Sequence, residues 1–242
     1  MELLERHLDT FTIGLASWTV IHLFVWLAFP VIFPYSYRVA SKHTRIKFRP
    51  KSVAFVFSLV IVWYAWPIVF SRDFEGMRKG DPLLSYDPYV HGVYALALSY
   101  FVYDFIVTLL NGDPVEFLAH AFLCMLIYWQ TFTPFMTYYG AGLLLFEAST
   151  PFLHLRWFLL QLGWDRKSRL SRVNSLVFAV TFFVSRIIWG FYLCLEGFIY
   201  LQGFKERVGP VVFYFTHIAG FLLNLLNLYW FTIIVRNALN LK

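Results

Sequence analysis

Residues 94–122 read YALALSYFVYDFIVTLLNGDPVEFLAHAF. Two long apolar runs meet at Asn111-Gly112-Asp113-Pro114, a cluster of turn formers that ends one helix and opens the next. Each run is apolar on all sides, so neither suits a helix with one face in water. A short turn makes the two helices neighbours. Asp104 stands six residues before the end of the first run and His120 six after the start of the second. At 1.5 Å per residue both lie ~9 Å in from the same end, where they can face each other.

The rest of the chain follows this pattern. Of 242 residues, 60% are hydrophobic, 21% aromatic and 14% charged, against a soluble norm of ~45–50% apolar and ~25% charged. Crossing ~30 Å of hydrocarbon takes ~20 largely apolar residues. Such runs recur at roughly 11–35, 52–70, 89–110, 114–131, 134–149, 173–202 and 210–235, leaving no room for a soluble domain. The expected fold is an all-α integral membrane protein of about seven transmembrane helices. Its organisation is an N-terminal segment, 1–49, with the first helix and a basic loop, then a transmembrane domain over 50–242. The start, MELLERHLDT, is acidic and lacks the basic region of a signal peptide, so the first run is expected to stay in the mature protein.

Proline punctuation supports the boundaries: Pro50, Pro88, Pro114, Pro134 and Pro210 each open a run, where a missing N–H costs nothing. Asp87, Asp113 and Thr133 precede three of them as N-cap candidates, and Asp113 with Glu116 has capping-box spacing. Pro151 signals a further short helix to about Leu162, with Trp157 and Trp164 as interfacial residues.

The net charge of +6 is a topology signal and not a nucleic-acid footprint, because the cations are confined to connections. The segment 37–51 carries Arg38, Lys42, Arg45, Lys47, Arg49 and Lys51, and the one after the fifth run carries Arg156, Arg166, Lys167, Arg169 and Arg172. The alternate connections hold three, none and two. The positive-inside rule then places the N-terminus in the lumen and the C-terminus, with Arg236 and Lys242, in the cytosol.

Ionisable groups at membrane depth cost ~2.5–3.5 kcal/mol on insertion scales and ask for partners. Those to explain are Asp104, His120, Glu147, Arg186, Glu196 and His217. Glu147 in FEASTPFLHLRW (146–157) is expected close to the cytosolic end of the fifth span, with His120 or Arg186 as partner. Arg186 approaches the carboxylates if its long run begins in the cytosol. Two readings compete. Polar groups serve as interhelical glue, worth ~0.6 kcal/mol on average, or they gather into a lipid-handling site. Glu196 and His217 lie toward the opposite face and read as interfacial or packing groups, and Asn224 and Asn227 as helix contacts. Cys124 and Cys194 lack CxxC spacing, so no disulfide framework or metal site is expected. GxxxxGK[ST], GxSxG, HExxH and GxGxxG are absent, which removes the minimal parts of nucleotide, hydrolase and zinc-protease readings.

YFVYDF, the histidine of EFLAHAF, LLFEASTPFLHLRW, the arginine of FFVSRIIWG and the closing LNLYWF resemble, in order and spacing, the signatures of the TLC-domain family, which includes ceramide synthases and translocon-associated proteins. The resemblance runs from about residue 50 to 236. It implies a six-helix bundle around a lipid-accessible cavity, preceded by one extra span, in the endoplasmic reticulum or another internal membrane. Where ceramide synthases carry a His-His pair, this chain has His120 between Ala119 and Ala121; where they carry an HDxSD-type motif, it reads Phe146-Glu147-Ala148-Ser149-Thr150. One acid is kept as Glu147. These departures make the chain similar to the branch outside the ceramide synthases.

The expected function is lipid binding that affects membrane lipid composition. The first alternative is acyl-CoA-dependent acyl transfer: His120 as general base, Asp104 or Glu147 orienting it, and Arg186, Arg156, Tyr103 and Ser149 holding the headgroup. The second is a trafficking or biogenesis adaptor. No metal or bound cofactor is expected, acyl-CoA entering only as substrate. The expected partners are membrane lipids, with room for a membrane-protein partner or a homodimer.

Overall fold

A computed structural model describes residues 5–130 and 135–238, and these are helical with no strand. Thr133, Pro134 and Lys242 lie outside the described residues. In chain order the helices are α1 (Leu8–Ile32), α2 (Pro34–Val39), α3 (Lys42–Phe70), α4 (Glu75–Lys79), α5 (Pro88–Leu110), α6 (Val115–Gln130), α7 (Thr137–Leu144), α8 (Thr150–Gln161), α9 (Arg169–Phe182), α10 (Trp189–Gln202) and α11 (Lys205–Ala238). A 3₁₀ turn, Leu145–Ser149, joins α7 to α8, and a π-helical turn, Phe183–Ile188, joins α9 to α10. Six rods are long and apolar enough to cross a membrane: α1, α3, α5, 137–161, 169–202 and α11. The expected fourth span, α6, is a shorter apolar helix of 16 residues.

Local chemistry sets the ends. Ser41 caps α3 by accepting the Thr44 N–H at 3.0 Å, and Ser168 caps α9 through the Ser171 N–H at 3.2 Å. Asp87 accepts from both the Tyr89 and Val90 N–H groups, as its cap position predicts. Gly209, at φ 76°, breaks the first turn of α11 so that Pro210 begins the long straight part, as expected for a proline at a helix start.

One boundary and one span need correction. Pro50 does not open a helix, because α3 begins eight residues earlier at the Ser41 cap and carries the basic residues of 42–51 on its own first turns. The short helix expected from Pro151 to about Leu162 is present as α8, but it continues the fifth span and does not stand apart from it. Pro151 occupies the first turn of α8, where no N–H is required, and the 3₁₀ turn before it keeps 137–161 one continuous rod. Glu147 therefore sits mid-rod, ~15 Å from one end and ~21 Å from the other, and not near an end.

In lipid, apolar contact alone does not favour helix association, so shape and hydrogen bonds must hold the bundle. α3 and α5 form its centre, where Phe57 and Tyr100 stack with ring centroids 3.6 Å apart. The Trp18 indole of α1 donates to Ser99 Oγ at 3.0 Å, and at Gly14 a Cβ would meet that Oγ at 2.3 Å. A second cluster, around Tyr139, Leu193 and Phe213, joins α7, α10 and α11. There Gly142 lets Leu193 approach to within 2.7 Å of where a Cβ would stand. Just before α1, His7 Nε2 lies 3.2 Å from the Tyr86 hydroxyl; burial, then the neighbouring Arg6, hold the His7 pKa below the ordinary imidazole value.

Candidate functional site

Six helices converge at one end of the bundle: α3, α6 and α9 begin there, and α5, α8 and α11 end there. Because the basic segments sit at these same helix ends, this is the basic end of the molecule. A half-open cavity of about 380 Å³ lies between them. Asp104, His120, Glu147, Arg186, Arg156 and Ser149, each singled out in the sequence, all line it.

Tyr103 does not. Its hydroxyl pairs with His22 Nδ1 of α1 at 2.7 Å, outside the cavity. Tyr103 is one residue, about 100°, around α5 from Asp104, on the side that faces α1, whereas Tyr100, four residues back, lines the cavity. Sequence reading also missed contributors from other elements. Lys47 and Lys51 of α3 and His154 of α8 form part of the wall. The lysines were legible only as topology markers, since nothing in the sequence shows α3 beginning before Pro50 and turning them inward.

Arg186 is a buried hub of the polar wall. It stands on the π-helical turn, a local rewinding that is often found at functional positions and that re-aims the residues it carries. Its Nη2 donates to Glu147 Oε1 at 3.3 Å and Thr150 Oγ1 at 3.2 Å, its Nε to Ser149 Oγ at 3.2 Å, and its Nη1 to Asn227 Oδ1 at 3.5 Å. Phe146 and Phe182 flank the guanidinium. The Arg186–Glu147 pair, 7% and 11% exposed, answers the question Glu147 raises: the carboxylate is held by a buried guanidinium from the neighbouring rod. Asn227 acts as the helix contact expected of it, and Asn224, which donates to Gly220 O within its own helix, also reaches Cys194 of α10.

Nearer the mouth, Lys47 and Asp113 form a second ion pair, so the Asp113 carboxylate, read as a helix cap, bridges the α5–α6 turn to α3. His120 faces the cavity as Asp104 does, but its ring meets the Cys124 thiol at 3.8 Å and the edge of Trp230, and no carboxylate of the described residues hydrogen-bonds to it. His154 Nδ1 is buried with no hydrogen-bond partner. Asp104, Lys51 and Arg156 form no ion pair among the described residues; Lys51 lies over the Trp157 ring at 5.3 Å.

Two smaller voids lead inward. One of about 30 Å³ shares Phe101, His120, Glu147 and Arg186 with the mouth cavity. The next, about 50 Å³ and apolar, lies between α7, α10 and α11 and shares Ile127, Leu143 and Leu223 with the first. No group of His, Cys, Asp and Glu suited to a metal occurs among the described residues. At the far end Glu196 lines an open polar cleft and His217 bonds to Phe213 O and Gln202, in keeping with their reading as peripheral groups.

These features define an all-α multi-pass membrane protein with a charged cavity at its basic end. The TLC-domain family profile matches residues 47–236, and the chain belongs to that family. It is 26% identical over 232 residues to an uncharacterized TLC domain-containing protein of Schizosaccharomyces pombe, covering 94% of this chain and 77% of the relative. It is 30% identical over 190 residues to TLC domain-containing protein 4-B of Danio rerio, covering 76% of this chain and 67% of the relative. It is 29% identical over 160 residues to Topoisomerase I damage affected protein 4 of Saccharomyces cerevisiae, covering 63% and 57%.

Proposed function

We propose that this protein binds a membrane lipid, headgroup in the basic-end cavity and one acyl chain directed toward the apolar voids, and through that binding affects membrane lipid composition. The observation that carries the reading is a gradation across adjoining cavities. A half-open cavity of about 380 Å³ with charged walls adjoins, across shared residues, a small void, and that void in turn adjoins an apolar one. Pockets that recognise amphiphiles combine an apolar body with a few placed polar groups. Charged side chains at membrane depth are retained where they serve such a site. The proposed setting is the endoplasmic reticulum or another internal membrane. Charge bias supports an orientation with the basic end in the cytosol and the N-terminus in the lumen.

Purification in mild detergent followed by mass spectrometry of bound lipid tests this. A stoichiometric lipid is expected, and Arg156→Ala with Lys51→Ala should remove it. A preparation free of lipid that also takes up none from vesicles would overturn the proposal.

Acyl transfer is the second reading, favoured by His120 lining both the mouth cavity and the first inner void, where a thioester carbonyl would lie. His120 would take a proton from an acceptor amine or hydroxyl as it attacks the thioester of acyl-CoA, and return it to the departing thiolate. With no carboxylate fixing its tautomer, this base is poorly prepared. Comparison of cellular lipids between His120→Ala and the unmodified protein separates the readings: loss of one defined product supports transfer, and an unchanged product list supports binding alone.

A further inference from the structure

The basic-end cavity sorts its charges into two kinds. Lys47 is matched by Asp113 and Arg186 by Glu147, and these pairs hold helices together. Three charges are left over among the described residues: the Lys51 ammonium, the Arg156 guanidinium and the Asp104 carboxylate. They face one void, yet no cation–carboxylate contact within 4 Å closes between them. Charges of opposite sign held apart in a partly desolvated space are costly unless something spans them. A purely anionic ligand would satisfy the two cations and leave Asp104 repelling it. A cationic one would do the reverse. Only a ligand carrying both signs matches all three charges.

Resting on the lipid-binding reading, we infer that the cavity selects a zwitterionic phospholipid with a primary ammonium, its phosphate between Lys51 and Arg156 and its ammonium on Asp104. A guanidinium and an ammonium suit a phosphodiester, one as a planar fork and the other as a point charge. A carboxylate suits –NH₃⁺, which donates hydrogen bonds to it, over a quaternary ammonium, which donates none and is better held by aromatic faces.

The test uses the full chain in nanodiscs of equimolar phosphatidylethanolamine, phosphatidylcholine and phosphatidylglycerol with identical acyl chains, bound lipid being counted by native mass spectrometry. The unmodified protein should enrich the ethanolamine lipid about tenfold over either competitor, corresponding to ~1.4 kcal/mol. Asp104→Asn, nearly isosteric, should bring that ratio to unity while lipid stays bound, and Asp104→Glu should restore much of it. Lys51→Ala with Arg156→Ala should lower binding of all three lipids. Enrichment of phosphatidylglycerol, or an ethanolamine preference that survives Asp104→Asn, overturns the inference and leaves lipid binding standing. Failure of every lipid to bind overturns the proposed function itself. Glycerophosphoethanolamine, added as a soluble competitor, should displace the lipid poorly; displacement at equal concentration would assign the site to a soluble metabolite and overturn the lipid source.

Discussion

The Arg186 hub and the mouth of the same cavity use the same side-chain types to opposite effect. At the hub, one guanidinium meets a carboxylate and two hydroxyls from the rod 137–161 and an amide from α11. At the mouth, Asp104, Lys51 and Arg156 face a common space and none closes on another. Polar groups buried in a low-dielectric interior gain strength when fully matched and become costly when not. The hub is therefore architecture that also forms the floor of the cavity, and the mouth is where a ligand's free energy can be taken up. Depth alone does not separate the two; the difference is whether neighbouring helices supply the partner.

The largest effect expected is at the hub. Arg186→Met leaves Glu147 buried without its cation, and breaking a buried pair from one side costs about 3–5 kcal/mol. Thermal unfolding in detergent should show it as a large drop in midpoint, or as loss of folded protein. Adding Glu147→Met should recover a good part of the loss, since an apolar pair of similar volume is tolerated where a lone charge is not. If Arg186→Met unfolds no more readily than the unmodified protein, the hub is not the architectural half of the contrast.

Lys47 is intermediate. Its pair with Asp113 is partly exposed, 10% and 21% by side chain, and ties the α5–α6 turn to α3. Lys47→Met should cost about 1–3 kcal/mol, the penalty of an unsatisfied charged group in contact with some water. Ser168→Ala removes the cap of α9, the rod that carries Arg186, at about 1 kcal/mol. Both should lower the unfolding midpoint, and Ser168→Ala should do so without altering which lipid is preferred, because Ser168 lies outside the cavity wall.

Much of this was legible in the sequence, and the remainder was not for identifiable reasons. Long apolar runs separated by charged breaks define spans whatever their packing, and the turn at 111–114 places α6 beside α5 with Asp104 and His120 at similar height. Glu147 was recognised as needing a partner, and Arg186 was one of the two named. What misled was proline. Pro50 reads as a start, but a helix capped earlier by Ser41 runs through it; Pro151 does open a helix, but a 3₁₀ turn joins that helix to the span before it. Both errors hid the site. The first left Lys47 and Lys51 in a loop, and the second put Glu147 near a rim. Tyr103 was lost to helix phase, which one residue's displacement decides and motif proximity does not. The π turn has no sequence signature comparable to a proline or a cap, yet it carries Arg186.

The smallest change in stability is expected at Asp104, and there the contrast between hub and mouth is most exposed. In the ligand-free protein Asp104→Asn removes an unmatched carboxylate and breaks no pair, so the unfolding midpoint should stay level or rise slightly, the shift remaining within about 0.5 kcal/mol. Ligand should reverse the order. A lipid bound to the folded form alone stabilises by RT ln(1 + [L]/Kd), about 2.7 kcal/mol at a hundredfold excess over Kd. The unmodified protein should gain that increment from phosphatidylethanolamine, and Asp104→Asn should gain much less. Unfolding curves of both proteins in lipid-free detergent and after titration with this lipid therefore ought to cross. A loss of several kcal/mol without lipid would mean that Asp104 has a structural partner, and that the mouth is built like the hub.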